Sequence, residues 1–262
     1  MKRAILLFYQ FLKRDYYRYK KQIRQYVINF GILRPLIFSV SIAYIQARVL
    51  FGADQTKIST IFFIGNAMLI IMVLTFSLAI RLLFDLEQDR FVAYQITIIS
   101  PKLLLLERIV FSTLFTFFIM LPFFPASKII LQRSIDTSHT CWPHVFLIMF
   151  IGALCLSAYN LMVSCILKSS RQLTSLWMRV NMPLLVLGGL WVPLHIIQSL
   201  APGFRYLFYL NPILYVTEGL RSAILGSPEF LPVWQSSLGL FSLAILFTLL
   251  SFYFFKKRVD HI

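Results

Sequence analysis

Three groupings of side chains in this sequence have spacings that could do chemistry. Asp85, Glu87 and Asp89 fall within five residues. A lipid-modifying membrane enzyme would need such a cluster of acids or histidines at one interface, but here the acids lead into Phe91, Val92, Ala93 and Tyr94 rather than into His or Gly. Glu218 and Arg221 stand three apart, on one face of any helix, where they can pair. Cys141 and His144 are spaced like two metal ligands, but a structural zinc site takes four. A membrane boundary with an interfacial Trp142 accounts better for Cys141-Trp-Pro-His144. Several devices are missing. No Gly is followed by Lys, so the chain has no phosphate loop with which to cradle ATP. Gly-x-Ser-x-Gly and His-Glu-x-x-His are absent too. None of the ten Asp and Glu residues falls at the centre of an apolar span, whereas ion-coupled carriers use an intramembrane acid or His. Three cysteines without paired spacing predict no disulfide framework.

The elements that must position these residues belong in a bilayer. Of 262 residues 59% are hydrophobic and 13% charged, and the mean hydropathy is +0.78; ordinary soluble domains are about half apolar and about a quarter charged. Six segments approach spanning length: 32–51, 58–83, 104–127, 144–167, 173–197 and 233–255. The predicted fold class is an all-α polytopic membrane protein, a single membrane domain over 1–262. No cleavable leader is expected, because eight Lys and Arg residues precede the first apolar run without a short n-region or cleavage site. The net charge of +15 is unevenly placed: 1–34, 81–108, 168–179 and 256–258 hold nineteen of the 25 Lys and Arg residues, the alternate connections six. That bias predicts an even number of spans with both termini cytoplasmic. It argues for contact with anionic membrane lipids and against nucleic acid.

Residues 1–31 form the first subregion. Ile5, Phe8, Tyr9, Leu12, Tyr16, Tyr19, Ile23 and Tyr26 recur at three- and four-residue intervals, predicting an amphipathic helix lying in the interface. Arg34-Pro35 should mark its junction with the first span, since Pro disfavours helical geometry in the residue before it. Residues 32–197 carry spans one to five, and 233–262 the last span with a basic tail. Between them, 198–232 should form a re-entrant helical pair. Its second member, Asn211 to Gly226, has a capping Asn, Pro212 at the first helical position, and Gly226 for a left-handed close. A helix of about 14 residues rises about 21 Å, less than the ~30 Å of a hydrocarbon core. It should dip in and return.

The mild polar residues inside spans, Asn66, Thr75, Ser77, Ser157, Asn160, Ser164 and Asn181, suit hydrogen bonds between membrane helices. Asn66 and Asn160 are also candidates for a substrate path. Glu218 and Arg221 read either as a structural pair or as part of a gate meeting a polar head group.

This arrangement resembles the permease subunits of type-2 ATP-binding-cassette exporters. The resemblance rests on the amphipathic start, the six spans, the acid-rich connection Phe84 to Pro101 with its closing Ser-Pro, and the Asn211-Pro212 to Arg221-Gly226 helix before the last span. It implies a coupling helix, carried by Asp85, Glu87, Asp89, Arg90, Phe91 and Tyr94, that docks in a cytoplasmic ATPase. Arg90-Phe91 departs from the family, where a Gly-Thr pair often follows the acids. The resemblance further implies a gate helix including Asn211, Pro212, Glu218, Arg221 and Gly226, and a second permease copy, identical or paralogous. No cofactor is expected on this chain, since ATP and Mg would sit on the ATPase; the chain itself is not an enzyme. The expected setting is the plasma (inner) membrane, with an amphiphilic or lipid-linked substrate. A polytopic lipid-acting enzyme and a non-transporting scaffold are the alternatives.

Overall fold

The computed structural model describes residues 2–38, 41, 56–87, 95, 97–130, 138–200, 203 and 205–259. Most of the predicted first span, and the coupling residues Asp89, Arg90, Phe91 and Tyr94, lie outside them. Among the described residues every regular element is helical. Four of the described helices are long and apolar enough to cross a membrane: Lys57–Glu87, Pro101–Ala126, Trp142–Ile166 and Val233–Arg258. We number the principal helices α1 (Lys2–Tyr26), α2 (Thr56–Glu87), α3 (Pro101–Met120), α4 (Trp142–Ile166), α5 (Pro212–Leu225) and α6 (Val233–Val259).

The hydrophobic run of α4 is apolar on all sides, and accordingly it sits in the middle, packed against α2, α3, α5 and α6. In α4 67% of the apolar stretch is buried; in α6 only 22% is, leaving Leu238, Phe241, Ile245 and Leu249 facing outward. Side-chain hydroxyls and amides join the helices at depth. Ser157 bonds Ser112 at 2.9 Å, and Tyr159 bonds Asn181 at 3.0 Å.

The helix ends gather at two poles. At one, Glu87 accepts from the Ser170 N–H at 2.5 Å, and the Arg258 guanidinium donates to the Leu167 carbonyl. This is the basic end, where α6 closes on Lys256, Lys257 and Arg258. At the opposite end Lys57 pairs with Glu229 at 2.8 Å, and the Cys141 N–H donates to Ala223 O at 2.9 Å.

Two of the sequence expectations change here. Arg34-Pro35 does not end a helix: α1 runs through a wide π turn at Val27–Leu33 into Arg34–Phe38. The Arg34 N–H reaches back five residues to Asn29 O, and the widened turn carries the chain past a proline that lacks an N–H. Helix α1 runs beside α3, with Asp15 at Arg108, Tyr19 on Phe111 and Phe115, and Gly31 against Ile119. Tyr19 and Tyr26 of its aromatic stripe pack on Phe111 and Phe115 of α3, and those contacts dock it on the bundle.

The segment 173–197 is the second difference. It is not one helix but Leu173–Leu176, a π turn at Trp177–Asn181, Met182–Leu187, a break, and then Leu194–Leu200. The π turn again precedes a proline, Pro183, and the Met182 N–H reaches Trp177 O. The device that tolerates Pro35 recurs.

Candidate functional site

The break begins where Gly188 ends the helix. Gly189 adopts φ +76°, a conformation that side-chain-bearing residues avoid. The bend brings Leu190 O so close to Gly65 on α2 that a Cβ there would lie 1.7 Å away. Breaking a helix at membrane depth frees backbone groups that lipid cannot satisfy, so protein must.

Helix α5 supplies the partners. It is buried at Pro212, Ile213 and Leu214, and from Val216 to Leu225 at all but Ser222. Asn211 caps it as expected, its Oδ1 accepting from the Ile213 N–H at 3.0 Å, while its Nδ2 donates to Leu184 O at 2.7 Å. The Thr217 hydroxyl donates to Gly188 O at 2.7 Å, and Arg221 Nη2 to Gly189 O at 2.5 Å. Glu218 Oε1 accepts from the Leu194 N–H at 3.0 Å and from Arg221 Nη1 at 2.9 Å. Glu218 and Arg221 are both fully buried. Four side chains of one short helix thus fasten four backbone groups on the two sides of the break. Gly226 closes α5 at φ +61° with its N–H on Ser222 O. The i, i+3 pair expected from spacing is therefore real, and its further targets are one carbonyl, Gly189 O, and one amide, Leu194 N–H, of the interrupted helix. Thr217 belongs to the set although its type gave no warning.

The basic end holds a second buried ionic group. Arg108 Nη2 donates to Asp85 Oδ2 at 2.8 Å. Its Nε lies 3.8 Å from Asp15 and 3.9 Å from Glu107, and Asp15 also pairs with Arg14 at 2.8 Å. Arg81 stacks 4.1 Å from the centre of the Tyr19 ring. Side chains from α1, α2 and α3 therefore meet at one guanidinium. Glu107 is fully buried, and neither of its oxygens has a hydrogen-bond partner among the described residues. Asp85 and Glu87 end α2 together but point apart: Asp85 is buried on Arg108, while Glu87 is solvent-facing on Ser170.

Asn66 and Asn160 are not brought together. Asn160 Nδ2 donates to Thr75 Oγ1 at 2.9 Å and touches Met72 sulfur at 3.7 Å. Asn66 is buried nine residues earlier on α2, with no partner for either side-chain atom among the described residues. Glu107 and Asp15 escaped attention in the sequence, and Arg108 counted only toward charge bias. The signal was a Glu-Arg dipeptide inside an apolar run.

Apolar helices of spanning length around a short, buried, polar-stitched helix define an integral membrane protein. The class is narrower than that, because the model of the ABC-2 type transporter family matches residues 7–225. The chain belongs to the ABC-2 type transporter family and is a membrane permease of an ABC transporter. No curated protein and no solved structure matches it.

Proposed function

We propose that the chain is the membrane-spanning subunit of an exporter that moves an amphiphilic or lipid-linked substrate outward, driven by a separate cytoplasmic ATPase. Two permease copies, identical or paralogous, would enclose the path in the plasma membrane, with the basic end cytoplasmic. ATP and Mg would be held by the partner. The observation that carries this reading is α5, which is too short to span, buried at all but Tyr215 and Ser222, and fastened by Asn211, Thr217, Glu218 and Arg221 to a helix broken at Gly188–Gly189. Such a unit can stand as a rigid plug at one end of the bundle, while the other end responds to the ATPase.

The ATPase would dock on the connection after α2, through Glu87, Asp89, Arg90, Phe91 and Tyr94. Asp85 has a different part, holding Arg108 and so tying the docking segment to α1 and α3. Nucleotide-driven movement of the connection would reach three helices through one guanidinium. Asn66 on α2 and Asn160 on α4 would line the path once those helices part.

The test is affinity purification of the tagged full chain from its native membranes, with ATP hydrolysis read in the eluate. Wild type should carry ATPase activity, and the combined Glu87→Ala, Asp89→Ala, Phe91→Ala variant should lose most of it while remaining inserted. Unchanged activity in that variant, or ATP hydrolysis by the isolated chain, would refute the assignment.

A further inference from the structure

The oblique path of α1 along α3 leaves a wedge between them. This cleft of about 370 Å³ is lined by Leu12, Tyr16 and Ile23 on one side and by Phe111, Leu114 and Phe118 on the other. It follows α3 from Phe111 to Ile119. Its lining is apolar and aromatic, and Tyr16 and Phe118 remain exposed.

The next stripe around α1 has the opposite character. Lys13 and Lys20 sit on the Tyr17 ring, at 5.9 and 5.8 Å from its centre, and Tyr17 meets Tyr16 edge-on at 5.8 Å. Both lysines are exposed, and neither has a carboxylate within ion-pair distance among the described residues. Successive stripes of one helix are thus buried (Asp15, Tyr19), groove-lining (Leu12, Tyr16, Ile23) and cationic (Lys13, Lys20). Unpaired cations beside hydrocarbon are costly and call for an anion at the interface.

We infer that this cleft is the seat of one anionic phospholipid. An acyl chain lies between α1 and α3, and the phosphate rests against Lys13, Tyr17 and Lys20 at the basic end. The amphiphile matches the site in both parts: a long apolar slot, and a positive, hydrogen-bonding mouth at its edge. A bound lipid there holds α1 against α3, next to the Asp15–Arg108 contact. This site is independent of the substrate path and of the exporter assignment.

The experiment is native mass spectrometry of the purified full chain, given equal amounts of phosphatidylglycerol and phosphatidylcholine with identical acyl chains. Wild type should retain one phosphatidylglycerol in roughly 30-fold preference, the scale of two interfacial lysines. Lys13→Ala/Lys20→Ala changes exposed residues and should bring the preference near parity. Leu114→Trp should lower retention of both lipids by filling the slot. Equal retention by wild type would overturn the inference, as would an unchanged preference in the double variant. So would a Leu114→Trp chain that loses self-association while still selecting phosphatidylglycerol, because the cleft would then belong to a second copy.

Discussion

Both poles of the molecule bury arginine with carboxylates, yet they use the charge differently. At the opposite end Arg221 and Glu218 are neighbours on one helix, and their remaining bonds go to backbone atoms of the break at Gly189 and Leu194. At the basic end Arg108 gathers Asp15 and Asp85 from two other helices and Glu107 beside it. The first group secures a local backbone shape that has no alternative partner in lipid. The second fixes the relative position of helices, and a change in any one of them alters the distances. A stitch and a joint are built from the same residue types; what differs is whether the partners are backbone or side chains from elsewhere.

Removing the stitch should have the larger effect. Arg221→Leu leaves Glu218 charged and buried and Gly189 O unpaired, a loss of about 3–5 kcal/mol. In detergent, the purified variant should unfold far below wild type on heating, or fail to accumulate. Wild-type stability in Arg221→Leu would break the comparison at its stronger side.

Cutting the joint should loosen one helix and spare the bundle. Arg108→Ala takes the partner from the buried Asp85, while Asp15 keeps its pair with Arg14, so about 2–3 kcal/mol is expected. Limited proteolysis should then cleave within α1 much faster, while α4 to α6 stay protected. Uniform loss of protection would mean that Arg108 holds the whole fold, as Arg221 does.

The exposed pair Lys57–Glu229 sets the lower limit of the comparison. Its hydrogen bond from Lys57, and then the Lys57 charge, hold the Glu229 carboxyl below the usual glutamate range. A lowered folded-state value stabilises above the unfolded pKa of about 4.3 and is lost as pH falls through the folded value. Melting temperature should therefore drop slightly on acidification below that range in wild type, and Lys57→Met should remove this component. With both side chains about half exposed, the effect should be small.

The contrast also explains what could be read from the sequence. The stitch helix was legible because its signals are local: Asn211, Pro212 and Gly226 act within a turn of themselves, and Glu218 meets Arg221 three residues on. The break it secures was hidden. Residues 182–194 carry no polar side chain, and hydropathy does not register that the helix stops at Gly188-Gly189 and resumes after Pro193; only the paired glycines and the prolines hinted at it. The joint was hidden for another reason. Asp15, Asp85 and Arg108 are unremarkable one by one, and their meeting depends on how α1 climbs α3. Pro35 misled by propensity, because a π turn absorbs it. Asp85 was read as part of the connection after the second span, but it lies in the last turn of α2 and its partner, Arg108, is internal.

The central claim is that α5 enters and leaves the membrane on one side. After replacement of Cys141, Cys155 and Cys165, single cysteines at positions 203 and 227 should both react with an impermeant thiol reagent applied to intact cells. Cysteines at positions 90 and 257 should react only once the membrane is opened. Labelling of 203 and 227 from opposite sides would make Pro212–Leu225 a crossing helix and contradict the account.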